Sequence, residues 1–234
     1  MKISKKVAGV EYAIRDIVSA AREIELQGKT VDYLNIGDPV QSGFQPPQNV
    51  KQAMIDAINN GNNFYTRSEG LTELTNAIAK KENAKGLSIP SENILVTNGV
   101  SEGLDMVISS IVEEGDEVLL PGPYYPPYAS YVRLHGGTPI EFSVDLNSSS
   151  PNIDDIKSKI TSKTVAICLI SPNNPTGLVF NENALKQIVD VANEHNLYII
   201  CDEIYDQIIF DDKFTGIGKV ASDSPVIVLN GFSK

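Results

Sequence analysis

The second half of the chain alternates short apolar runs with longer segments that carry apolar residues at helical spacing. Helical spacing occurs at residues 101–112 and 182–196, and a serine-rich surface loop is predicted at residues 148–151. The apolar runs have the length of buried strands and lie at residues 94–97, 117–120, 138–142, 164–170, 197–201 and 226–230. This alternation predicts a three-layer α/β/α fold, with helices on both faces of a mostly parallel sheet.

The first third of the chain has a different pattern, with more helix and no long apolar run. Helices are predicted at residues 11–27, from the proline pair 46–47 to a gradual end at residues 59–61, and at residues 71–85. Residues 33–39 form an extended segment between the first two helices. Because this segment contains Gly37 and Pro39, it suits an N-terminal arm better than a central strand.

Polar signals follow three of the predicted strands at the point where each strand ends. They are residues 173–177, residues 202–205 and residues 231–234. Ligands of open α/β sheets bind outside the carboxyl ends of the strands. The sequence therefore predicts an amide, a carboxylate, a phenol and an amine along one edge of the sheet.

Composition excludes several classes of partner. The chain has 30 acidic and 19 basic residues and a net charge of −11, which disfavours nucleic acid and anionic membrane surfaces. No apolar run approaches the roughly 18 residues of a membrane span, so a cytoplasmic protein is expected. Cys168 and Cys201 lie inside apolar runs and are predicted to be core residues. His135 and His195 occur singly, so no metal site is expected.

Two loops are candidates for binding a phosphorylated aromatic ligand. Gly99, Val100 and Ser101 join a predicted strand to a helix, where free N–H groups can bind a phosphate; a plain strand-to-helix turn is the alternative. Tyr125 lies in a proline-rich loop after the strand at residues 117–120 and is a candidate for stacking on a flat ring. A surface loop rich in aromatic residues is the alternative there.

The strand-end residues add charge and hydrogen-bonding groups. Asp202 directly follows a buried strand, where an unpaired charge is costly, so it needs a cation such as a protonated pyridine nitrogen or serves as an N-cap. Tyr205 and Asn174 can hydrogen-bond an oxygen on that ring, although Asn174 can also close an Asx turn. Lys234 is a candidate amine nucleophile or a surface charge. In combination these groups predict a phosphorylated pyridine aldehyde as their ligand.

These segments resemble the class I/II pyridoxal-phosphate-dependent aminotransferases of fold type I, over nearly the full length of the chain. Residues 174–177 resemble the family's NPTG segment, residues 202–205 its Asp-x-x-Tyr segment, and residues 232–234 its lysine segment. Residues 35–39 are similar to the arm on the substrate side, and Tyr65 resembles a residue that reaches the phosphate site of a neighbouring subunit.

The resemblance implies a role for each site residue. Lys234 forms the internal aldimine with pyridoxal 5'-phosphate, Asp202 stabilises the pyridinium, and Asn174 and Tyr205 bond the ring hydroxyl. The remaining cofactor-binding residues are Gly99, Val100, Ser101, Tyr125 and, from the second subunit of a homodimer, Tyr65. Gly37 and Asn174 are expected at the substrate.

The resemblance also implies domains and a reaction. Residues 1–45 are expected to belong to a smaller domain that is largely missing, and residues 46–234 to a cofactor-binding large domain that is incomplete at its C-terminal end. The expected reaction moves an amino group between an amino acid and a 2-oxo acid such as 2-oxoglutarate. The amino acid is expected to be aspartate-like, alanine-like or aromatic. A lyase or synthase of the same fold and a non-catalytic fragment or regulatory cofactor-binding module are the alternatives.

Two departures from the family pattern bear on these expectations. Gly231 stands where the family often has a serine or threonine that touches the phosphate. The sequence stops at Lys234, before the arginines that bind phosphate and substrate carboxylate in the family, so an incomplete sequence is expected.

Overall fold

The computed structural model describes residues 4, 6–7, 13–34, 37–211, 213–221 and 224–234. The chain divides into two compact units, Tyr12–Leu71 and a larger one that comprises Met1–Glu11 and Thr72–Lys234. The predicted assignment of residues 1–45 to a small domain and 46–234 to a large domain stays a prediction. Among the described residues, no helix combines the length and the apolar character needed to cross a bilayer.

The larger unit is built on a six-stranded sheet in its described part. The strands are β1 (Glu117–Gly122), β2 (Thr138–Asp145), β3 (Ser150–Pro151), β4 (Thr164–Ile170), β5 (Tyr198–Asp202) and β6 (Val226–Leu229). Their order in the sheet is β3-β2-β1-β4-β5-β6, and only the β2/β3 pair is antiparallel. Since β1, β2, β4, β5 and β6 are parallel, their carboxyl ends share one edge of the sheet.

Helices cover both faces of this sheet, which confirms the predicted three-layer arrangement. The helices of the larger unit are α3 (Thr72–Ala84), α4 (Gly99–Ile111), α5 (Pro127–Leu134), α6 (Ile153–Lys159) and α7 (Glu182–Glu194). Side chains of α6 and α7 pack on one face, and side chains of α4 and α5 pack on the other. Alternate residues of β4 serve the two faces: Ile167 and Leu169 join the first core, while Ala166 and Cys168 join the second.

The Tyr12–Leu71 unit contains α1 (Ala13–Leu26) and α2 (Gln48–Asn59). Helix α2 follows Pro47, as the predicted proline signal requires, and has no buried residue. Its apolar residues Val50, Met54 and Ile58 recur at every fourth position and are each about half exposed. The described part of this unit therefore carries an amphipathic helix.

Some predicted elements differ from the structure. Residues 94–97 are not a strand: Ile94 has extended backbone angles, but no described strand pairs with this segment, and Leu95 is 48% exposed. The proline-rich loop predicted at residues 121–128 ends earlier than expected, because Pro127 begins helix α5. The loop predicted at residues 148–151 contains β3, in which Ser150 pairs with Asp145 of β2.

Candidate active site

The register of the parallel strands sets the position of the candidate site. Ile170 at the end of β4 pairs with Asp202 at the end of β5, and Asp202 pairs with Leu229 at the end of β6. The three strands thus end at the same level. Because Asn174 follows β4 and Lys234 follows β6, both residues lie at the same edge of the sheet as Asp202, as predicted.

Asp202 is a buried carboxylate with defined partners. The residue is 5% exposed, its Oδ1 accepts a hydrogen bond from the amide of Ile204 at 2.9 Å, and its Oδ2 accepts one from the phenol of Tyr128. Burial raises the pKa of Asp202, and these two hydrogen bonds oppose the rise by stabilising the anion. A carboxylate in this setting is best stabilised by a further donor that carries positive charge.

Tyr128 is a site residue that the sequence analysis did not assign. It lies in the first turn of α5, is 3% exposed, and packs in the core beneath α4 and α5. Burial, followed by the nearby charge of Asp202, raises the pKa of Tyr128, so the phenol keeps its proton and acts as a donor. The signal available in the sequence was Pro127, because proline at a first helical position places Tyr128 on a helix.

Tyr205 and Asn174 form a hydrogen-bonded pair next to Asp202. The side chain of Asn174 bonds the phenol of Tyr205. Burial and then the charge of Asp202 raise the pKa of Tyr205, and the bond from Asn174 offsets part of that rise. Both residues line a cavity of about 390 Å³, together with the loop after β4 and residues 208–211. The structure thus brings the predicted amide and phenol together beside the predicted carboxylate.

Lys234 lies close to Tyr205. Its ammonium nitrogen is 5.9 Å from the centre of the Tyr205 ring, and its side chain is exposed. This distance is within the range of a cation–π contact. The segment between β6 and Lys234 is held at its start, where the amide of Gly231 donates to Oδ1 of Asn230 at 2.7 Å.

The predicted phosphate-binding turn is also at this edge. Gly99 begins α4 with φ +76°, and the side chain of Glu102 accepts a hydrogen bond from the amide of Asn98. Helix α4 packs on the end of β6, since a Cβ atom on Gly103 would lie 3.4 Å from Leu229. A Cβ atom on Gly231 would lie 3.8 Å from the side chain of Val100, which brings the turn near the lysine segment.

Ser101 and Tyr125 take up different positions around this turn. Ser101 is exposed in the first turn of α4. Tyr125 is partly buried and packs against the core beneath α4 and α5, in the loop between β1 and α5. Because β1 ends at Gly122, Tyr125 lies near the site edge of the sheet, while its stacking role stays a prediction.

Two predicted site residues belong to the other unit. Gly37 and Tyr65 lie in Tyr12–Leu71, and the side chain of Tyr65 is fully exposed. Asn35 and Ile36, which also carried the resemblance to the family arm, lie outside the described residues. The roles of Gly37 at the substrate and of Tyr65 in a neighbouring subunit stay predictions.

The donor set of the larger unit fits a phosphorylated pyridine. Asp202 supplies a buried anion, Asn174 and Tyr205 supply neutral hydrogen-bonding groups, and Lys234 supplies an amine. The N-terminus of α4 supplies backbone N–H groups at a glycine turn. Among the residues that the structure describes, no group of three or more His, Cys, Asp or Glu side chains is arranged to hold a metal ion.

Comparison with known proteins identifies the class. Residues 30–234 match the family described as aminotransferase class I and II, and the chain belongs to this family. Among its relatives, glutamate-pyruvate aminotransferase AlaA of Escherichia coli K12 is 38% identical over 237 residues, which cover 99% of this chain and 58% of the relative. An alanine aminotransferase of Mycobacterium tuberculosis H37Rv is 36% identical, covering 99% of this chain and 55% of the relative.

Solved structures agree with this assignment. An alanine aminotransferase from Pyrococcus furiosus superposes with a TM-score of 0.96 at 44% identity, covering 100% of this chain and 60% of that structure. An aspartate aminotransferase from Thermus thermophilus with maleate gives a TM-score of 0.92 at 31% identity, covering 100% of this chain and 61% of that structure. The chain therefore spans about three fifths of the length of these relatives.

Proposed function

We propose that the protein is a pyridoxal 5'-phosphate-dependent aminotransferase and that this chain carries its cofactor-binding groups. The observation that carries the proposal is the buried Asp202 at the sheet edge, with Tyr205 beside it and Lys234 over the Tyr205 ring. The names of the relatives support it, because they are alanine, glutamate-pyruvate and aspartate aminotransferases.

Each residue has a physical task in this proposal. Asp202 pairs as an anion with the protonated ring nitrogen, and Asn174 and Tyr205 orient the ring through its hydroxyl group. The backbone N–H groups of Gly99, Val100 and Ser101 bind the phosphate at the start of α4. Tyr125 stacks on the ring of the cofactor.

Lys234 holds the cofactor aldehyde through its amine and later moves the proton at Cα of the amino acid. A lysine suits both tasks because its amine is a nucleophile and, when neutral, a general base. The bound cofactor supplies one thing that no side chain can, a conjugated ring that accepts electrons from the amino acid. Asp202 maintains that capacity by keeping the ring nitrogen protonated.

The substrates and the assembly are part of the same proposal. The amino group moves between an alanine-like, aspartate-like or aromatic amino acid and a 2-oxo acid, with 2-oxoglutarate as the expected acceptor. Gly37 and Asn174 contact the substrate, and Tyr65 serves the site of a second subunit in a homodimer. The named activities of the relatives support the substrate class, and the resemblance of Tyr65 to a family residue that reaches a neighbouring subunit supports the dimer.

Product analysis tests this function. The purified protein, supplied with pyridoxal 5'-phosphate, L-alanine and 2-oxoglutarate, is expected to form glutamate and pyruvate in equal amounts. L-aspartate and L-phenylalanine in place of L-alanine rank the amino acid substrates. Lys234→Ala should abolish the reaction and the visible absorbance of the bound cofactor. Consumption of the amino acid without glutamate formation would exclude transamination and favour a lyase or synthase.

A further inference from the structure

A buried cluster of charged residues includes chain neighbours of Asp202 and Tyr205, and none of its members is among the proposed cofactor or substrate groups. Lys85, which follows α3, places its ammonium nitrogen 2.5 Å from Glu82, 2.9 Å from Glu203 and 3.1 Å from Asp206. The side chains of Glu203 and Asp206 are only 3% and 2% exposed, and that of Lys85 is 16% exposed. The ammonium group of Lys85 thus forms ion pairs with three buried carboxylates.

The surroundings favour the charged forms of Lys85 and Asp206, while burial raises the pKa of Glu203. Lys81 adds a second, more exposed ammonium group 3.6 Å from Asp206, and the ring of Phe214 lies 5.8 Å from the Lys85 nitrogen. Burial disfavours the charge on Lys85, but the charge of Glu203 and the hydrogen bonds to Glu82 and Glu203 outweigh it, so the pKa of Lys85 is raised. Removing Lys85 would therefore leave several buried charges without their main counter-ion.

The cluster is connected to the site through adjacent residues in the chain. Glu203 follows Asp202, and Asp206 follows Tyr205. The amide of Asp206 donates to the carbonyl of Glu203 at 2.9 Å, and Oε1 of Glu203 accepts a hydrogen bond from the amide of Ile217 at 2.8 Å. The turn that presents Asp202 and Tyr205 is therefore fixed by carboxylates whose partners, Lys85, Ile217 and Asn230, are not among the proposed site groups.

The same cluster also reaches the lysine segment. The side-chain Nδ2 of Asn230 donates to Oδ2 of Asp206 at 3.1 Å. The side-chain Oδ1 of Asn230 accepts a hydrogen bond from the backbone amide of Gly231 at 2.7 Å. Asp206 Oδ2 is the oxygen that Lys85 also contacts. An unbroken chain of contacts thus runs from Lys85 through Asp206 and Asn230 to the backbone that leads to Lys234.

We infer that Lys85 is a positioning residue of the active site, which holds the Asp202–Tyr205 turn and the segment leading to Lys234 in one fixed arrangement. This role rests on the proposed function, because it is defined by the groups that act there. Lys85 lies outside the site and acts through Glu203, Asp206 and Asn230. Misplacement of reacting groups by about 1 Å is enough to cost about a hundredfold in rate, so a support of this kind matters for catalysis.

The first test follows the backbone without using the cofactor. In Lys85→Met, hydrogen exchange at the amides of Asp206 and Gly231 should accelerate by about tenfold or more, since each amide depends on the cluster. The amide of Ala184, which donates to the side chain of Asn181 at 2.9 Å, is the internal reference and should be unchanged. Lys80→Met, on the exposed side of α3, is the matched variant and should leave all three amides unchanged.

The second test uses kinetics of the full protein. Lys85→Met should lower kcat by about tenfold with little change in KM for the amino acid, because the reacting groups are misplaced after binding. Lys85→Arg keeps the charge and should restore most of the rate. Unchanged kcat and unchanged exchange at Asp206 and Gly231, with only a lower unfolding temperature, would show a purely structural lysine and overturn the inference.

A third variant keeps the inference testable if Lys85→Met does not fold. Asn230→Ala retains every charge of the cluster but removes the link between Asp206 and Gly231, so exchange at Gly231 and kcat should change while Asp206 keeps its protection. Loss of protection at Ala184 to the same degree would contradict the inference. If the wild-type protein forms no glutamate, the proposed function fails, and the exchange experiment alone then decides whether Lys85 fixes the two segments.

Discussion

The phenol of Tyr128 donates a hydrogen bond to Oδ2 of Asp202, a residue 74 positions away in the sequence. Through this bond, helix α5 contributes to the position and the pKa of the carboxylate at the end of β5. Since the bond stabilises the anion, it opposes the rise that burial imposes on the pKa of Asp202.

Tyr128→Phe should weaken cofactor binding, and more so at low pH. Loss of the phenol raises the pKa of Asp202 further, so the carboxylate is neutralised at a higher pH as the solution is acidified. A hydrogen bond to a charged group contributes about 1.5–3 kcal/mol, which predicts at least about a tenfold loss in affinity for pyridoxal 5'-phosphate. Equilibrium dialysis between pH 5 and 8 measures this loss. Tyr131→Phe on the same helix is the control, and an affinity of Tyr128→Phe equal to that of the wild type throughout this range would contradict the prediction.

Tyr205→Phe should have a smaller effect. The substitution removes the neutral hydrogen bond proposed between Tyr205 and the ring hydroxyl, together with the bond to Asn174, and leaves Asp202 in place, so a loss of about 0.5–1.5 kcal/mol in cofactor binding is expected. The same dialysis experiment gives the affinity. Asn174→Ala should weaken binding by a similar amount, and the double variant should lose less than the sum of the two, because one bond is shared. Full additivity would show that the two side chains act independently.

Gly99→Ala should separate backbone strain from phosphate binding. Gly99 has φ +76° and no atom within 4 Å of an added Cβ, so the cost arises from conformation and amounts to about 1–2 kcal/mol. Gly115 has φ +96° and equally open surroundings, in the turn between α4 and β1. Both variants should unfold at similarly lower denaturant concentrations, but only Gly99→Ala should weaken pyridoxal 5'-phosphate binding. Equal binding by both variants would exclude the turn as the phosphate site.

Leu185→Ala should destabilise the larger unit strongly. Leu185 lies on α7, is 1% exposed and belongs to the core between α7 and the sheet. Truncation of a buried leucine costs about 2–5 kcal/mol, which urea unfolding can measure. Leu146, in the turn between β2 and β3, is 57% exposed, so Leu146→Ala should cost no more than about 0.5 kcal/mol. Similar losses for both variants would contradict the assigned core.

Glu182→Gln should lower stability at neutral pH and lose its effect in acid. Hydrogen bonds from Lys186 and Lys219 lower the pKa of Glu182 to about 2. A lowered carboxyl pKa contributes stability above the unfolded-state pKa, and this contribution disappears as the pH falls toward 2. The difference in unfolding temperature between wild type and variant should therefore shrink between pH 5 and pH 2. Glu114→Gln, which neutralises an exposed carboxylate in the turn after α4, is the control for general charge effects.

Much of the fold could be predicted because local pattern and burial agree. The strand predicted at residues 164–170 is β4 without change, since a strand buried on both faces is a continuous apolar run. Helix α6 was missed because its seven residues are too few for a clear periodic pattern. Residues 94–97 were predicted as a strand that the structure does not form, because an apolar run becomes a strand only when a neighbouring strand supplies hydrogen bonds.

The residues of the candidate site were also predictable only in part. Asn174, Asp202 and Tyr205 were predictable because each follows an apolar run closely, and parallel strands bring such positions to one edge. Tyr128 and Lys85 were not, because their partners are far away in the sequence: Asp202 lies 74 positions from Tyr128, and Glu203 lies 118 positions from Lys85. Such pairs depend on the packing of α3 and α5, which periodicity does not specify.

The alternation of side chains across the sheet has a consequence for the two cysteines. Cys168 and Cys201 lie on neighbouring strands, yet Cys168 belongs to the core beneath α4 and α5, and Cys201 to the core beneath α6 and α7. The backbone of the sheet stands between the two sulfur atoms, and both thiols are buried. Oxidising conditions therefore cannot join them in the folded chain, and the stability of the sheet should be insensitive to the redox state of its surroundings.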